Sequence, residues 1–137
     1  MRYKYSICYP ENPSIEYHEQ ILDGREMEEL VSSYPWKTEL EKLISLDHND
    51  VQYNPSLDIQ NVDDNHSFCL TAEGDPDSYS FSVWYNRPVK KNVMFGLLGE
   101  KEVFGVIDKN FPKDDALMLF HKFLNKEYTF IEEQMKK

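Results

Sequence analysis

The sequence contains few of the residues that cross-link or anchor small secreted proteins. Only two cysteines, Cys8 and Cys69, occur among the 137 residues. A single distant pair forms neither a disulfide framework nor the spacing of a zinc site. Both lie in segments with alternating apolar residues, so we expect reduced and buried thiols. No run of about 18 apolar residues occurs, and the N-terminal segment MRYKYSICYPENPS has no signal-peptide pattern. We therefore expect a cytoplasmic protein that has no membrane partner.

Motifs for catalysis and cofactor binding are also missing. The five glycines are dispersed and form no glycine-rich loop ahead of a helix, which argues against a phosphate cradle. The chain contains no G-x-S-x-G element, and neither cysteine lies beside a helix start or a basic group that would activate it. We therefore expect a protein that is not an enzyme, with no catalytic residues and no cofactor.

The stretch SLDHNDVQYNPSLDIQNVDDNHS (residues 45–67) is rich in aspartate, asparagine and histidine, which raises the question of a metal site. A calcium loop requires glycine at its sixth position, and frames that begin at Asp47 or Asp63 have no glycine there. His48 and His66 are far apart and lack the spacing of metal ligands. We predict no metal site, and we expect both histidines to be solvated.

Basic residues are scarce in the first half of the chain. Residues 11–77 contain 17 acidic and three basic residues, whereas residues 78–137 contain eight acidic and ten basic residues. An acidic field of this kind repels nucleic acid and anionic membranes and attracts basic proteins. The isolated run RPVKK is too short for a nucleic-acid footprint. The acidity therefore indicates a basic protein partner, with simple solubility as the alternative.

Hydrophobic periodicity predicts the secondary structure. Helical spacing, with Asp23 and Glu26 as a capping box, predicts two short helices or one broken at Pro35, and a later helix starting near Pro112 and ending at Asn125. Alternation predicts strands. The predicted strands are RYKYSICY, LDIQNV, SFCLTAE, SYSFSVWY, NVMFGLLG, KEVFGVID and a short final strand, EYTFIE, which could also continue the helix. These elements predict an α+β fold in which residues 1–137 form a single domain. Its one antiparallel β-sheet has about five or six strands, with helices packed on one face.

A binding function explains the acidic residues better than catalysis does. Aromatic anchors inside an acidic rim provide both affinity and fast association with a basic partner. Among the aromatic residues, Tyr53 and Trp84 are the best candidates for exposed anchors. The predicted partner-binding residues are therefore Tyr53 and Trp84 with two acidic groups: Asp47, Asp50, Asp58, Asp63 and Asp64, then Glu73, Asp75 and Asp77.

The C-terminal segment FPKDDALMLFHKFLNKEYTFI resembles the same region of small immunity proteins of bacterial polymorphic toxin and contact-dependent inhibition systems. The resemblance rests on a proline, acidic residues, an alanine, a Phe-Leu pair and a final apolar segment: Pro112, Asp114, Asp115, Ala116, Phe123, Leu124, Tyr128, Phe130 and Ile131. The glycine that commonly ends such a helix is replaced by Asn125 or Lys126, and a tryptophan near the end is absent. The resemblance implies a cytoplasmic protein that binds and inactivates a cognate toxin domain, frequently a basic nuclease or deaminase.

Two other classes of function stay open at this point. A small enzyme or ligand-binding domain would place polar groups such as His121 or Tyr85 in a pocket between sheet and helices. A structural subunit would use the strand SYSFSVWY to pair with another chain. The sequence identifies neither the partner nor the oligomeric state.

Overall fold

A computed structural model describes the backbone of residues 1–92 and 100–137 and the side chains of residues 1–88 and 105–137. Within these ranges the chain forms six strands, four α-helices and a short 3-10 turn at His48–Asp50. In chain order the elements are β1 (Tyr3–Cys8), β2 (Glu16–Leu22), α1 (Gly24–Ser33), α2 (Trp36–Ser45), β3 (Ser56–Asn61), β4 (Ser67–Asp75), β5 (Ser78–Asn92), β6 (Glu100–Pro112), α3 (Lys113–Leu124) and α4 (Tyr128–Met135). The predicted α+β class is confirmed.

All six strands belong to one antiparallel sheet in the order β2-β1-β3-β4-β5-β6. Strand β6 pairs with the long strand β5, whereas residues 93–99 of the predicted strand NVMFGLLG lie outside the described ranges. The strand SYSFSVWY belongs to β5 and lies inside the sheet, where Trp84 pairs with Cys69 on one side and with Asp108 on the other. From residue 80 onward the backbone groups of this strand are paired on both sides, which leaves no free edge there for the pairing that a structural subunit would use.

The helices cover one face of the sheet, as the alternation of apolar residues predicted. Phe68 of β4 packs against Phe120 and Phe123 of α3, and Phe81 of β5 packs edge-on against Trp36 of α2. Burial of apolar side chains such as these is the main favourable contribution to folding. No helix in the described part of the chain is long and apolar enough to cross a membrane.

The helix boundaries follow from local sequence signals. The Asp23 carboxylate accepts a hydrogen bond from the Glu26 backbone N–H at 2.8 Å, and the Glu26 side chain accepts one from the Asp23 backbone N–H at 3.1 Å. This reciprocal pair is the predicted capping box at the start of α1. Pro35 separates α1 from α2 because the residue before a proline is forced out of the helical conformation, and Tyr34 has an extended backbone.

Two secondary-structure predictions are wrong. The segment EYTFIE belongs to α4 and is not a strand, because Tyr128, Ile131 and Met135 recur at helical spacing and face the core. Strand β2 escaped prediction because it lies at the sheet edge, where its only buried side chain is Leu22. An edge strand with one buried residue shows no apolar alternation.

Helix α4 is fixed to the sheet by a half-buried polar cluster. The ring of His66 stacks on Tyr128 at a centroid distance of 3.9 Å, and its Nδ1 lies 2.7 Å from the Tyr85 hydroxyl. The Tyr128 hydroxyl donates a hydrogen bond to Asp64 at 2.6 Å. His66 is therefore not the solvated histidine that we predicted, and burial lowers its pKa. His121, by contrast, is exposed, and its Nε2 atom lies 3.2 Å from the Oε1 atom of Glu28.

Candidate functional site

No helix of the described residues covers the second face of the sheet, and we call this face the open face. Strand alternation sends polar and small side chains to this face while their neighbours enter the core. It comprises Tyr17 of β2; Lys4, Ser6 and Cys8 of β1; Ser56, Asp58 and Gln60 of β3; Ser67, Cys69, Thr71 and Glu73 of β4; Ser80, Ser82, Trp84 and Asn86 of β5; and Val106, Asp108 and Asn110 of β6.

Two cavities indent the open face, because its middle strands carry mainly short side chains. One cavity, of about 410 Å³, extends toward β2, and the other, of about 490 Å³, extends toward Trp84 and Val106. They share a floor at Asp58, Ser67 and Asn86. The open face is thus a continuous trough, and concave surfaces of this kind are the usual place for a ligand or a partner side chain.

The side chains around the larger cavity are held by hydrogen bonds. At the rim, the Tyr53 hydroxyl donates to the carbonyl of Pro13 at 3.2 Å, and the Trp84 indole N–H donates to the Ser82 hydroxyl at 3.1 Å. In the wall, the Thr71 hydroxyl donates to the Ser56 hydroxyl at 3.2 Å. Hydrogen bonds that fix rotamers before binding reduce the entropy lost on binding.

Asp58 occupies the centre of the floor. Its side chain is still accessible to water, but protein atoms surround it on most sides, and this loss of hydration raises its pKa above the ordinary 3.8. Among the described residues, no basic side chain forms an ion pair with Asp58, and none donates a hydrogen bond to its carboxylate. The arrangement leaves a partly desolvated negative charge without a partner, which is typical of functional sites.

We expect the substitution Asp58→Asn to raise the free energy of unfolding at neutral pH. The folded chain binds a proton at Asp58 more readily than the unfolded chain, so stability falls as pH rises from 3.8 through the higher folded pKa. The gain at pH 7 should stay below about 1 kcal/mol, because the carboxylate keeps part of its hydration. Urea denaturation at a series of pH values from 3 to 7 measures the difference, which should vanish near pH 3.

A matched control for this substitution is Asp47→Asn, which removes the same charge from an exposed loop where the side chain caps no helix. We expect no pH-dependent gain from the control. If both variants gain equally, the effect reflects the net negative charge of the chain, and the local argument about Asp58 is wrong.

Both cysteines lie on the open face and not in the core, which corrects the sequence prediction. They are free and half-buried. Burial raises the pKa of the Cys69 thiol to about 12 and also raises that of Cys8. Neither thiol is therefore an activated nucleophile at neutral pH, since the thiolate is the reactive form.

The structure brings four of the ten predicted partner-binding residues together. Tyr53, Asp58, Glu73 and Trp84 all line the larger cavity, and Glu73 also accepts a hydrogen bond from Asn110 at 3.1 Å. Trp84 is 45% exposed, so this predicted anchor is accessible. These four residues lie in different parts of the sequence and meet because of the strand register.

The other six predicted residues lie outside this cavity, Asp75 at the end of β4 and the rest in the connections between strands and helices: Asp47, Asp50, Asp63, Asp64 and Asp77. Several of them are engaged within the chain. Arg2 forms an ion pair with Asp63 at 2.7 Å, and its hydrogen bonds hold the pKa of that carboxyl below its ordinary value. Lys37 pairs with Asp77 at 2.7 Å. Because these carboxylates already have partners, they are weaker candidates for binding than Asp58.

Sequence reasoning missed two residues of the trough. Tyr17, 71% exposed on the edge strand β2, lines the smaller cavity, and Asn86 lines both cavities. The carbonyl oxygen of the Asn86 side chain is buried and accepts no hydrogen bond from the described residues. The sequence did contain a signal for Asn86, because it is the next residue in the alternating series Ser80, Ser82 and Trp84, which lies on the open face.

The described side chains contain no cluster of three or more histidine, cysteine, aspartate or glutamate residues that could hold a metal ion. Comparison of the chain with protein-family models, curated proteins and solved structures gave no significant match. The geometry of the open face is therefore the main guide to function.

Proposed function

We propose that the chain is a non-enzymatic, cytoplasmic immunity protein that neutralises a basic toxin domain by binding it with the open face. The observation that carries the proposal is the trough, in which an exposed tryptophan lies beside an acidic floor without a basic partner. An aromatic anchor with unpaired charge next to it combines binding energy with selection for a positively charged partner.

The charge of the chain supports the same partner. Of the charged side chains that the structure describes on the open face, Asp58, Glu73, Asp75 and Asp108 are acidic, as is Glu19 at the smaller cavity, and Lys4 is basic. The 17 acidic residues between positions 11 and 77 add a long-range negative field. Such a field speeds association with a basic nuclease or deaminase domain and weakens as salt is added.

The alternative of an enzyme or ligand-binding pocket between sheet and helices has less support. Tyr85, one of its two candidate residues, is 1% exposed and lies against His66 and helix α4. The two cavities described above open on the opposite face of the sheet. A small molecule would therefore bind more readily in the trough than between the sheet and the helices.

Co-expression tests the proposal. The gene immediately upstream should encode a large protein with a variable C-terminal domain, and that domain should co-purify with this chain as a complex of defined mass. The domain alone should arrest growth of the host cell, and co-expression of this chain should restore it. A metabolic operon at that position, or a toxic domain that does not bind the chain, would contradict the proposal.

Charge reversal at Asp63 and Asp64 is an unsuitable test of the interface. Asp64 accepts the Tyr128 hydrogen bond and lies 3.8 Å from Lys126, and Asp63 binds Arg2. Reversal would break these contacts and destabilise the fold along with any interface. Substitutions at the trough separate binding from folding more cleanly.

A further inference from the structure

The floor of the trough contains two acceptors that receive no hydrogen bond from the described residues. The side-chain oxygen of Asn86 is buried and unsatisfied, whereas the Asp58 carboxylate is accessible to water and has no basic partner among the described side chains. A buried acceptor without a donor destabilises the free protein, and a carboxylate without a counter-ion attracts a cation. A ligand with a positive charge and several N–H groups would complement both positions.

None of the basic side chains that the structure describes forms an ion pair with this floor. Arg2 is bound to Asp63, Arg87 is bound to Glu132, and Lys37 is bound to Asp77. Lys4 lines the smaller cavity but forms no ion pair with Asp58. A bound partner can therefore supply the donors that the described residues do not.

Trp84 offers an exposed indole on which a flat, cationic group can stack. Asp58 pairs with Cys69, and Cys69 pairs with Trp84, so the carboxylate and the indole are two strands, or about 10 Å, apart on the same face. A cation stacks on an indole when it lies within about 6 Å of the ring centroid. A long side chain that crosses the floor can therefore stack on Trp84 and reach Asp58.

We infer that the trough receives the guanidinium group of an arginine from the partner protein, stacked on Trp84 and donating hydrogen bonds to Asp58 and Asn86. The inference rests on the proposed function for the identity of the partner. Guanidinium offers five N–H donors in one plane and no acceptor, which matches a floor that presents a carboxylate and a buried amide oxygen. Lysine offers a compact charge without a plane, and saccharide hydroxyls would also need donors on the floor.

A blocked tripeptide, acetyl-Gly-Arg-Gly-amide, probes the trough without any toxin. We expect it to bind with millimolar affinity and to shift the NMR signals of the Trp84 indole N–H and the Asn86 side-chain amide. The lysine analogue should bind at least threefold more weakly, and a neutral disaccharide should cause no shifts. The variant Asp58→Asn should weaken arginine binding about tenfold, whereas Asp47→Asn should leave it unchanged.

The inference is wrong if the arginine and lysine peptides bind equally, if the disaccharide binds more tightly, or if Asp58→Asn has no effect on arginine binding. These outcomes are independent of the proposed function. A toxin complex that forms equally well with Asp58→Asn would keep the immunity function and overturn the arginine site. Arginine binding without any toxin complex would keep the site and contradict the immunity function.

Discussion

Replacing Phe123 with alanine should lower the free energy of unfolding by about 3–5 kcal/mol. The side chain is fully buried, and its ring centroid lies 5.4 Å from that of Phe68, 6.1 Å from that of Tyr3 and 6.0 Å from that of Tyr128. It therefore joins the sheet to α3 and α4, and its removal would leave a cavity that close-packed neighbours cannot fill. Urea denaturation followed by circular dichroism measures the loss.

A matched control for this prediction is Phe130→Ala. Phe130 is half-buried beside α3, with the Lys122 ammonium 5.0 Å from its ring centroid. Because truncation there opens space to solvent and leaves no closed cavity, we expect less than half the loss seen for Phe123. Equal losses from the two variants would show that the cluster around Phe123 does not dominate the core.

The two faces of the sheet could be predicted from the sequence because strand alternation encodes them directly. In β5, Phe81 and Val83 enter the core, and Ser82 and Trp84 occupy the open face, as their alternation predicted. The prediction worked best for interior strands, where every second side chain is fully buried. It failed for β2, whose edge position demands only one buried residue.

The composition of the site could be predicted only in part. Asp58 and Asp63 are the same residue type and lie five positions apart, yet Asp58 has no basic partner and Asp63 is bound by Arg2. That difference depends on the pairing of β1 with β3, which brings Arg2 to the end of β3. Sequence composition identifies the acidic surface, but strand register decides which of its carboxylates are available for binding.

The Asp58 carboxylate is expected to lower the stability of the fold at neutral pH, and the presence of such a residue is an argument for a function in binding. An asparagine at the centre of the trough would fit the same space without a desolvated charge. Residues that destabilise a fold and have no internal partner are typical of binding and catalytic sites. The polar cluster at His66 is different, because the Tyr85 hydroxyl forms a hydrogen bond with His66 and the Tyr128 hydroxyl donates one to Asp64, and these contacts hold α4 in place.

Replacing Trp84 with alanine should weaken the proposed complex with a toxin domain by about 2 kcal/mol or more, which corresponds to a rise in Kd of about 30-fold. Trp84 is exposed in the free protein and lines the larger cavity between acidic side chains. A partner that covers the cavity would exclude water from the indole, so its removal should mainly increase the dissociation rate. Surface plasmon resonance at fixed salt concentration measures both rates.

The same substitution should change the free energy of unfolding by less than about 1 kcal/mol, because the indole makes no contact with the core cluster. Met118→Ala provides the matched control, since Met118 is an exposed apolar side chain on α3, on the side of the molecule opposite the trough. We expect Met118→Ala to leave the complex intact. If Met118→Ala weakened the complex strongly and Trp84→Ala did not, the interface would lie on the helices. The open face would then have a role other than binding the toxin.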